Sequence, residues 1–228
     1  MTTSFRWRTE IWWFVVPLAL CPAVALLQPG DPDTALARAQ QLLAWQRSIG
    51  IAVEPAVHSW VAARPGLDRA VEVFYLAAHL SALIATALWL AVRRPAAYPR
   101  FRAAFASAQA TTVAVYVLWP VAPLRMITGH PDDAALGWAR SVQYELAAMP
   151  SGHVVFALLV GLAVWREAPT RWRWLGVAHP VLTVGAVVAT AHHLLVDALA
   201  GAMVAVAAFL GAGSTSWHRL RSATAPAS

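Results

Sequence analysis

Six long stretches of the chain contain no Asp, Glu, Lys or Arg. They lie between Glu10 and Asp31, Glu72 and Arg93, Arg102 and Arg125, Glu145 and Arg166, Arg173 and Asp197, and Asp197 and Arg219. Each is long enough for a bilayer core, which takes about 20 helical residues at about 1.5 Å each. The pattern predicts an all-α fold, an integral membrane bundle of six transmembrane helices near 11–29, 71–92, 103–119, 151–166, 174–192 and 195–212. Core helices of soluble proteins rarely run this far without a charge. Arg6 and Arg8 precede the first window as they would in a signal peptide. No small-residue cleavage site follows Leu27, so the window is read as a retained helix.

Between the first two windows, 30–69 is too polar to span. Asp33 or Thr34 can cap a helix through about Ser48, Gly50 can end it, and Pro55 can start a second one ending before Pro65. Leu36, Leu43 and Trp45 would lie against lipid headgroups, which makes the segment an interfacial flap or lid. The chain is expected to be a single membrane domain, 1–228. It divides into an extracytoplasmic interfacial segment (30–69), a core (70–212) and a cytoplasmic tail (213–228), the Ala- and Ser-rich end being disordered after Arg221.

Composition sharpens this picture. Hydrophobic residues make up 59 % and charged residues 12 %, against about 25 % charged in a soluble domain. That excludes a soluble globule, a disordered chain and a coiled coil. A single Cys excludes an internal disulfide framework and a Cys-based zinc site. All 17 basic residues are Arg, and the net charge is +6. The Arg residues fall between apolar runs, so they are read as topology signals and not as a nucleic-acid surface. Eleven lie on the side that receives the N-terminus, 93–102, 166–173 and the C-terminus; six lie on the other side. Both termini are therefore expected in the cytoplasm of a multi-pass cell-membrane protein. Trp12, Trp13, Trp119, Trp165, Trp172, Trp174 and Trp217 sit at window ends, where interfacial aromatics belong.

The polar residues that suggest chemistry converge on the extracytoplasmic side. Pro150-Ser151-Gly152-His153 opens the fourth window. His192 and His193, followed by Asp197, join the fifth and sixth. Pro120 to Arg125 ends the third. His193 and Asp197 are spaced i, i+4, so they share a helical face. A carboxylate there can hold one ring nitrogen protonated and leave the other as nucleophile or base. Ser151 and Gly152 at a helix start form an anion site, with His153 beside it as a general acid. Glu72, Tyr75 and His79 make a polar stripe on the second helix that either lines a substrate cavity or forms an interhelical seam. His179, before Pro180, reads as structural at a kink. Cys21 reads as apolar packing, and His58 and His130 as surface residues. Asp132 and Asp133 read as a solvated loop, and no cluster demands a metal or other cofactor.

P-S-G-H at 150–153, followed by H-x3-D at 193–197, resembles the second and third motifs of the type-2 phosphatidic acid phosphatase superfamily. Within it, the chain resembles the branch of inositol phosphorylceramide synthases and related actinobacterial membrane proteins. That narrower resemblance rests on Pro120, Pro123 and Arg125 in a P-x-x-P-P-R-like first motif, and on Thr190 and His193 in a Thr-x-x-His third motif. The position of the superfamily's usual third-motif Arg is Val187 here. His192, Arg140, Arg47 and Arg64 are the candidates to replace that cation.

The resemblance covers about 70–212. It implies that His193 attacks phosphorus to form a phosphohistidine, that Asp197 orients and polarises His193, and that His153 protonates the leaving alkoxide. Arg125, Ser151 and the Gly152 N–H would hold phosphoryl oxygens, without a metal or other cofactor. The expected activity is hydrolysis of a membrane lipid or polyprenyl phosphate, monoester or diphosphate. A lipid phosphotransferase using the same residues and an alcohol acceptor stays open, as does a non-enzymatic transporter or scaffold that keeps the fold. The oligomeric state is not set by the sequence.

Overall fold

The computed structural model describes residues 7–27, 30–128 and 146–223. Among them the chain is helical, apart from one isolated bridge between Val121 and Ala147. The helices are α1 (Trp7–Glu10), α2 (Trp12–Leu27), α3 (Pro32–Ser48), α4 (Glu54–Ala62), α5 (Pro65–Arg93), α6 (Tyr98–Leu118), α7 (Leu124–Thr128), α8 (Gly152–Glu167), α9 (Leu175–Ala189) and α10 (Leu195–Ala223). Each of the six charge-free windows therefore contains a helix.

Their ends differ from the expected ones for readable reasons. Proline at the first or second position starts α3, α4, α5 and α6, where its missing N–H is not needed. α5 and α6 accordingly begin at Pro65 and Tyr98, inside charged stretches that a charge-free window cannot include. α8 and α9 are shorter than a full span, at 16 and 15 residues. By length and composition, two helices are long and apolar enough to cross a membrane: Pro65–Arg93 and Leu195–Gly213. Trp12–Leu27 counts as a third if it and Pro32–Ser48 form one broken span. The last helix runs on to Ala223, so the expected disordered tail is helical at its start; 224–228 lie outside the described residues.

The core of the bundle lies where α5, α6, α8 and α10 meet. Leu83, Leu90, Phe101, Phe105, Leu159 and Phe209 are buried there. Small residues let the helices close up. A Cβ on Gly161 would stand 2.4 Å from the Gly176 carbonyl oxygen, so α8 and α9 touch backbone to backbone. At the far end from the candidate site, Glu10 and Arg102 form an ion pair that ties α1 to α6. Large apolar side chains are exposed on the outer faces: Ile84, Leu88 and Val92 on α5, Val181 and Leu182 on α9, Leu199, Met203 and Leu210 on α10. Trp12, Trp13, Trp119, Trp165, Trp172 and Trp174 are also exposed, at helix ends.

The segment before α5 departs most from expectation. Asp31, not Asp33 or Thr34, caps α3: its carboxylate accepts from the Thr34 N–H at 2.9 Å and the Thr34 hydroxyl at 2.6 Å. The cap bonds hold the Asp31 carboxyl below its ordinary pKa. Gly50 ends the helix as expected, at φ +76°. Its N–H donates to Arg47 O at 3.1 Å and the Ile51 N–H to Gln46 O at 3.0 Å, a Schellman ending. Trp45 is exposed, but Leu43 is buried against Leu124, Ala191 and Leu194. α3 thus turns a face of Ala35, Ala39, Leu43 and Gln46 into the protein.

Candidate active site

The three polar regions singled out in the sequence meet at one end of the bundle. The chain at 120–125 is stitched to 146–148: Val121 N donates to Leu146 O at 3.0 Å, and Ala148 N to Val121 O at 3.1 Å. Arg125 N donates to Ala191 O at 2.9 Å, which fixes the start of α7 against the turn between α9 and α10. Ser151 N donates to Asp197 O at 3.0 Å, which fixes the start of α8 against the start of α10. Gly201 is required at that contact, because a Cβ on it would stand 2.5 Å from Ser151 O.

The turn at 190–194 aims the histidines. Thr190 ends α9; its backbone N–H and its hydroxyl both donate to Ala186 O, each at 2.9 Å. Ala191 takes φ +54°, a left-handed conformation that costs a non-glycine residue about 1–2 kcal/mol. It is held by the bond from Arg125 N, and it swings His192 and His193 into the site.

His193 Nδ1 is 2.8 Å from Ala148 O. A carbonyl only accepts, so Nδ1 carries the hydrogen, and in the neutral ring Nε2 keeps the lone pair. Burial pushes the pKa of His193 down to about 4, and the Arg125 charge pushes the same way against the Ala148 bond. The ring in this turn is therefore neutral near pH 7, the form a nucleophile needs.

The Asp197 contact is looser than the spacing suggests. Its carboxylate lies 3.9 Å from His193 Nδ1. Its short bond is accepted from the Leu194 N–H, at 2.7 Å, because α10 starts there and its first N–H groups need acceptors. Ala148 O is thus the group that fixes the imidazole, and Asp197 shapes the turn.

A cavity of about 300 Å³ opens between α2, α5, α6 and α8. Arg125, Gly152, His153, His192 and His193 line it, together with Tyr75, His79 and Tyr116. Leu18, Leu80 and Phe156 also line it, so its wall carries both polar and apolar groups. Tyr75 stacks between His153 and His192, with ring centroids 4.0 and 4.4 Å away. His79 packs on His153 at 4.1 Å. The His153 and His193 ring centroids are 6.0 Å apart, with the ring planes inclined at 59°. Both rings also line the cavity, so a phosphoryl group bound there could meet both. His153 Nε2 is buried without a hydrogen-bond partner among the described residues.

Of the other residues singled out, Ser151 is fully buried behind the cavity wall, its hydroxyl likewise without a partner among the described residues. Asp197 and Glu72 are not among the lining residues. Arg140, His130, Asp132 and Asp133 lie outside the described residues. His58 is half-buried, and its Nδ1 bonds Ala189 O at 2.7 Å. Cys21 is not plain packing either. It lines the cavity, and its sulfur accepts from Gln109 Nε2 at 3.0 Å.

Tyr116 escaped sequence reasoning. Its hydroxyl donates to Pro150 O at 2.9 Å and lies 3.1 Å from where a Cβ on Gly152 would be, so it braces the P-S-G-H turn. Nothing local marks it in the third window, where it shares an apolar run with Gln109, Thr111 and Thr112.

A family model described as the PAP2 superfamily matches residues 40–211, well over half of the chain. No curated protein and no solved structure matches it.

Proposed function

This chain belongs to the PAP2 superfamily, and from that premise we propose that it is an integral-membrane phosphatase. It would hydrolyse a lipid phosphate monoester or diphosphate through a phosphohistidine on His193. The observation that carries this reading is the cavity, with His193 set by Ala148 O beside its Arg125 wall and with Leu18, Leu80 and Phe156 also lining it. An amphiphile with an anionic head and an apolar tail suits a wall that carries both kinds of group.

In the first step the Nε2 lone pair attacks phosphorus and the bond from phosphorus to the leaving oxygen breaks. The leaving alkoxide takes a proton from His153. In the second step water attacks phosphorus as His153 takes its proton, which restores the acid; the P–N bond breaks, and His193 recovers its lone pair. Arg125 and the N–H groups at the start of α8 neutralise the phosphoryl oxygens throughout, the positioning and charge stabilisation that phosphoryl transfer needs. The phosphorylated imidazole is a cation, and Ala148 O and the Asp197 carboxylate face its Nδ1–H.

Six membrane crossings belong to the same reading. The outward apolar faces of α5, α9 and α10 and the exposed tryptophans at helix ends support it. Cysteines placed at Ala63 and Pro169, on a Cys21→Ser background, test it in intact cells. An impermeant thiol reagent is expected to label 63 and spare 169; the reverse pattern overturns the orientation, and labelling of both overturns the crossing count.

The activity is tested by phosphate release from a panel of lipid phosphates and polyprenyl diphosphates in detergent, with and without a chelator. Release that survives the chelator is the expected result, because His193 and Arg125 supply the nucleophile and the charge. Release that vanishes in chelator and returns with Mg²⁺ overturns the proposed chemistry. A phosphorylated alcohol formed without free phosphate makes the protein a transferase.

A further inference from the structure

We propose that Gln46 and Glu54, both in the segment before α5, are positioning residues for His193. They act by capping a helix to which neither belongs.

α10 begins at Leu195, and its first N–H groups have no partner within the helix. A capping box would satisfy them with two local side chains, one at the cap and one a helical turn further on. Asp197 supplies the second half, accepting from Leu194 N. The first half is missing, because the residue at the cap is Leu194.

Two remote side chains take its place. Glu54 Oε1 accepts from Leu195 N at 2.6 Å, and Gln46 Oε1 accepts from Val196 N at 2.8 Å. Gln46 Nε2 donates to the same Glu54 oxygen at 2.6 Å, so the two acceptors brace each other. Both residues are fully buried. Neither lines the cavity, so neither is placed to touch substrate. Gln46 is itself fixed, since its carbonyl takes the Ile51 N–H of the Schellman ending.

The consequence is geometric. His193 stands just ahead of Leu195, whose N–H is the first that Glu54 caps, on a turn whose Ala191 is in a strained conformation. A turn of that kind keeps its shape only if both ends are held. Ala148 O and Arg125 N hold one side; Gln46 and Glu54 hold the other. Release of the α10 end would let the imidazole drift from the line of attack, and a misplacement of about 1 Å can cost about 100-fold in rate. The segment 30–69 is then a clamp on the site.

The inference rests on His193 being the reacting group, and the test separates the two claims. Gln46→Leu keeps the volume and removes both bonds. The exchange Gln46→Glu with Glu54→Gln keeps every acceptor and restores the mutual bond with its direction reversed. Two readouts are taken on full-length protein in detergent: hydrogen exchange of the peptide covering 190–197, which needs no substrate, and kcat and KM on the best lipid phosphate.

Gln46→Leu is expected to speed exchange in that peptide by about 10-fold or more. Its kcat is expected to fall by about 10- to 100-fold with KM within about threefold. The exchanged pair is expected to recover both. Unaltered exchange in Gln46→Leu, an unaltered kcat, or an exchanged pair no better than Gln46→Leu overturns the proposal. If Gln46→Leu does not accumulate, the exchanged pair decides alone: wild-type exchange in 190–197 supports the clamp, and faster exchange overturns it. If the wild-type protein releases no phosphate, the phosphatase reading fails while the exchange arm still reports on the clamp.

Discussion

His193→Ala is expected to abolish phosphate release from lipid phosphates and from a small aryl phosphate alike. The loss follows from the covalent step. Without the Nε2 lone pair there is no P–N bond to form, and no substrate, however good its leaving group, can go round it. Removal of a nucleophile that acts as a unit with its partners costs on the order of 10⁴-fold or more, well beyond the loss of one positioning bond. The cavity should survive the substitution, because Ala148 O can turn to solvent and the turn keeps its bonds to Arg125 N, Gln46 and Glu54. Brief mixing of wild-type protein with radiolabelled substrate should leave acid-labile label on the chain, and the variant should carry none. Asp197→Asn should fall between the variant and wild type. Its amide oxygen can still accept from Leu194 N, so the turn is held, but the carboxylate that lies 3.9 Å from His193 Nδ1 is gone. Aryl phosphatase activity that survives in folded His193→Ala protein would rule out the phosphohistidine route.

Much of this site could be read from the sequence because its parts are local. Ser151, Gly152 and His153 are consecutive, and so are His192 and His193, with Asp197 one turn on. A helix start and a helix turn are features of a few neighbouring residues, so spacing alone exposes them. The helices were legible for a related reason: the buried or lipid-facing stretch of a helix excludes charge, and the six charge-free windows record those stretches, though not the charged ends of α5 and α6.

What was not legible depends on partners far away in the chain. The group that fixes the His193 tautomer is the carbonyl of Ala148, an atom every residue has. Gln46 and Glu54 cap a helix 150 and 141 positions later, and nothing near them says so. The one trace is that a Gln and a Glu, flanked by Leu43 on one side and Val57 and Val61 on the other, are the polar members of faces that are otherwise apolar. Asp197 shows the opposite failure. Its spacing from His193 suggested a direct bond, but a nearer donor, the Leu194 N–H, takes the short contact because a helix starting there leaves it unpaired.

His153→Ala is expected to separate the two histidines by leaving group. The ring lines the cavity 6.0 Å from that of His193, centroid to centroid, and has a buried nitrogen without a partner among the described residues, as a group that meets the substrate would. If it delivers a proton to the departing oxygen, its value depends on how much that oxygen needs one. An aliphatic alkoxide is a strong base and leaves badly without a proton; a nitrophenolate leaves readily as the anion. General acid catalysis contributes about 10²–10⁴-fold, so His153→Ala should lose most of that range on a lipid phosphate. On a nitrophenyl phosphate the loss should be about 10-fold or less, and the rate-limiting step should pass to breakdown of the phosphohistidine. Tyr75, which stacks on the ring, and His79, which packs on it at a tilt, remain in place in the variant and keep the cavity from collapsing. The comparison is made on the ratio of variant to wild-type kcat/KM for each ester, which ends at departure of the leaving group, so that neither breakdown of the phosphohistidine nor weaker binding of the small ester enters. Equal losses on the two esters, in protein with wild-type hydrogen exchange over 190–197, would move His153 from proton donor to phosphate ligand, since a bond to a phosphoryl oxygen is made whatever the leaving group is.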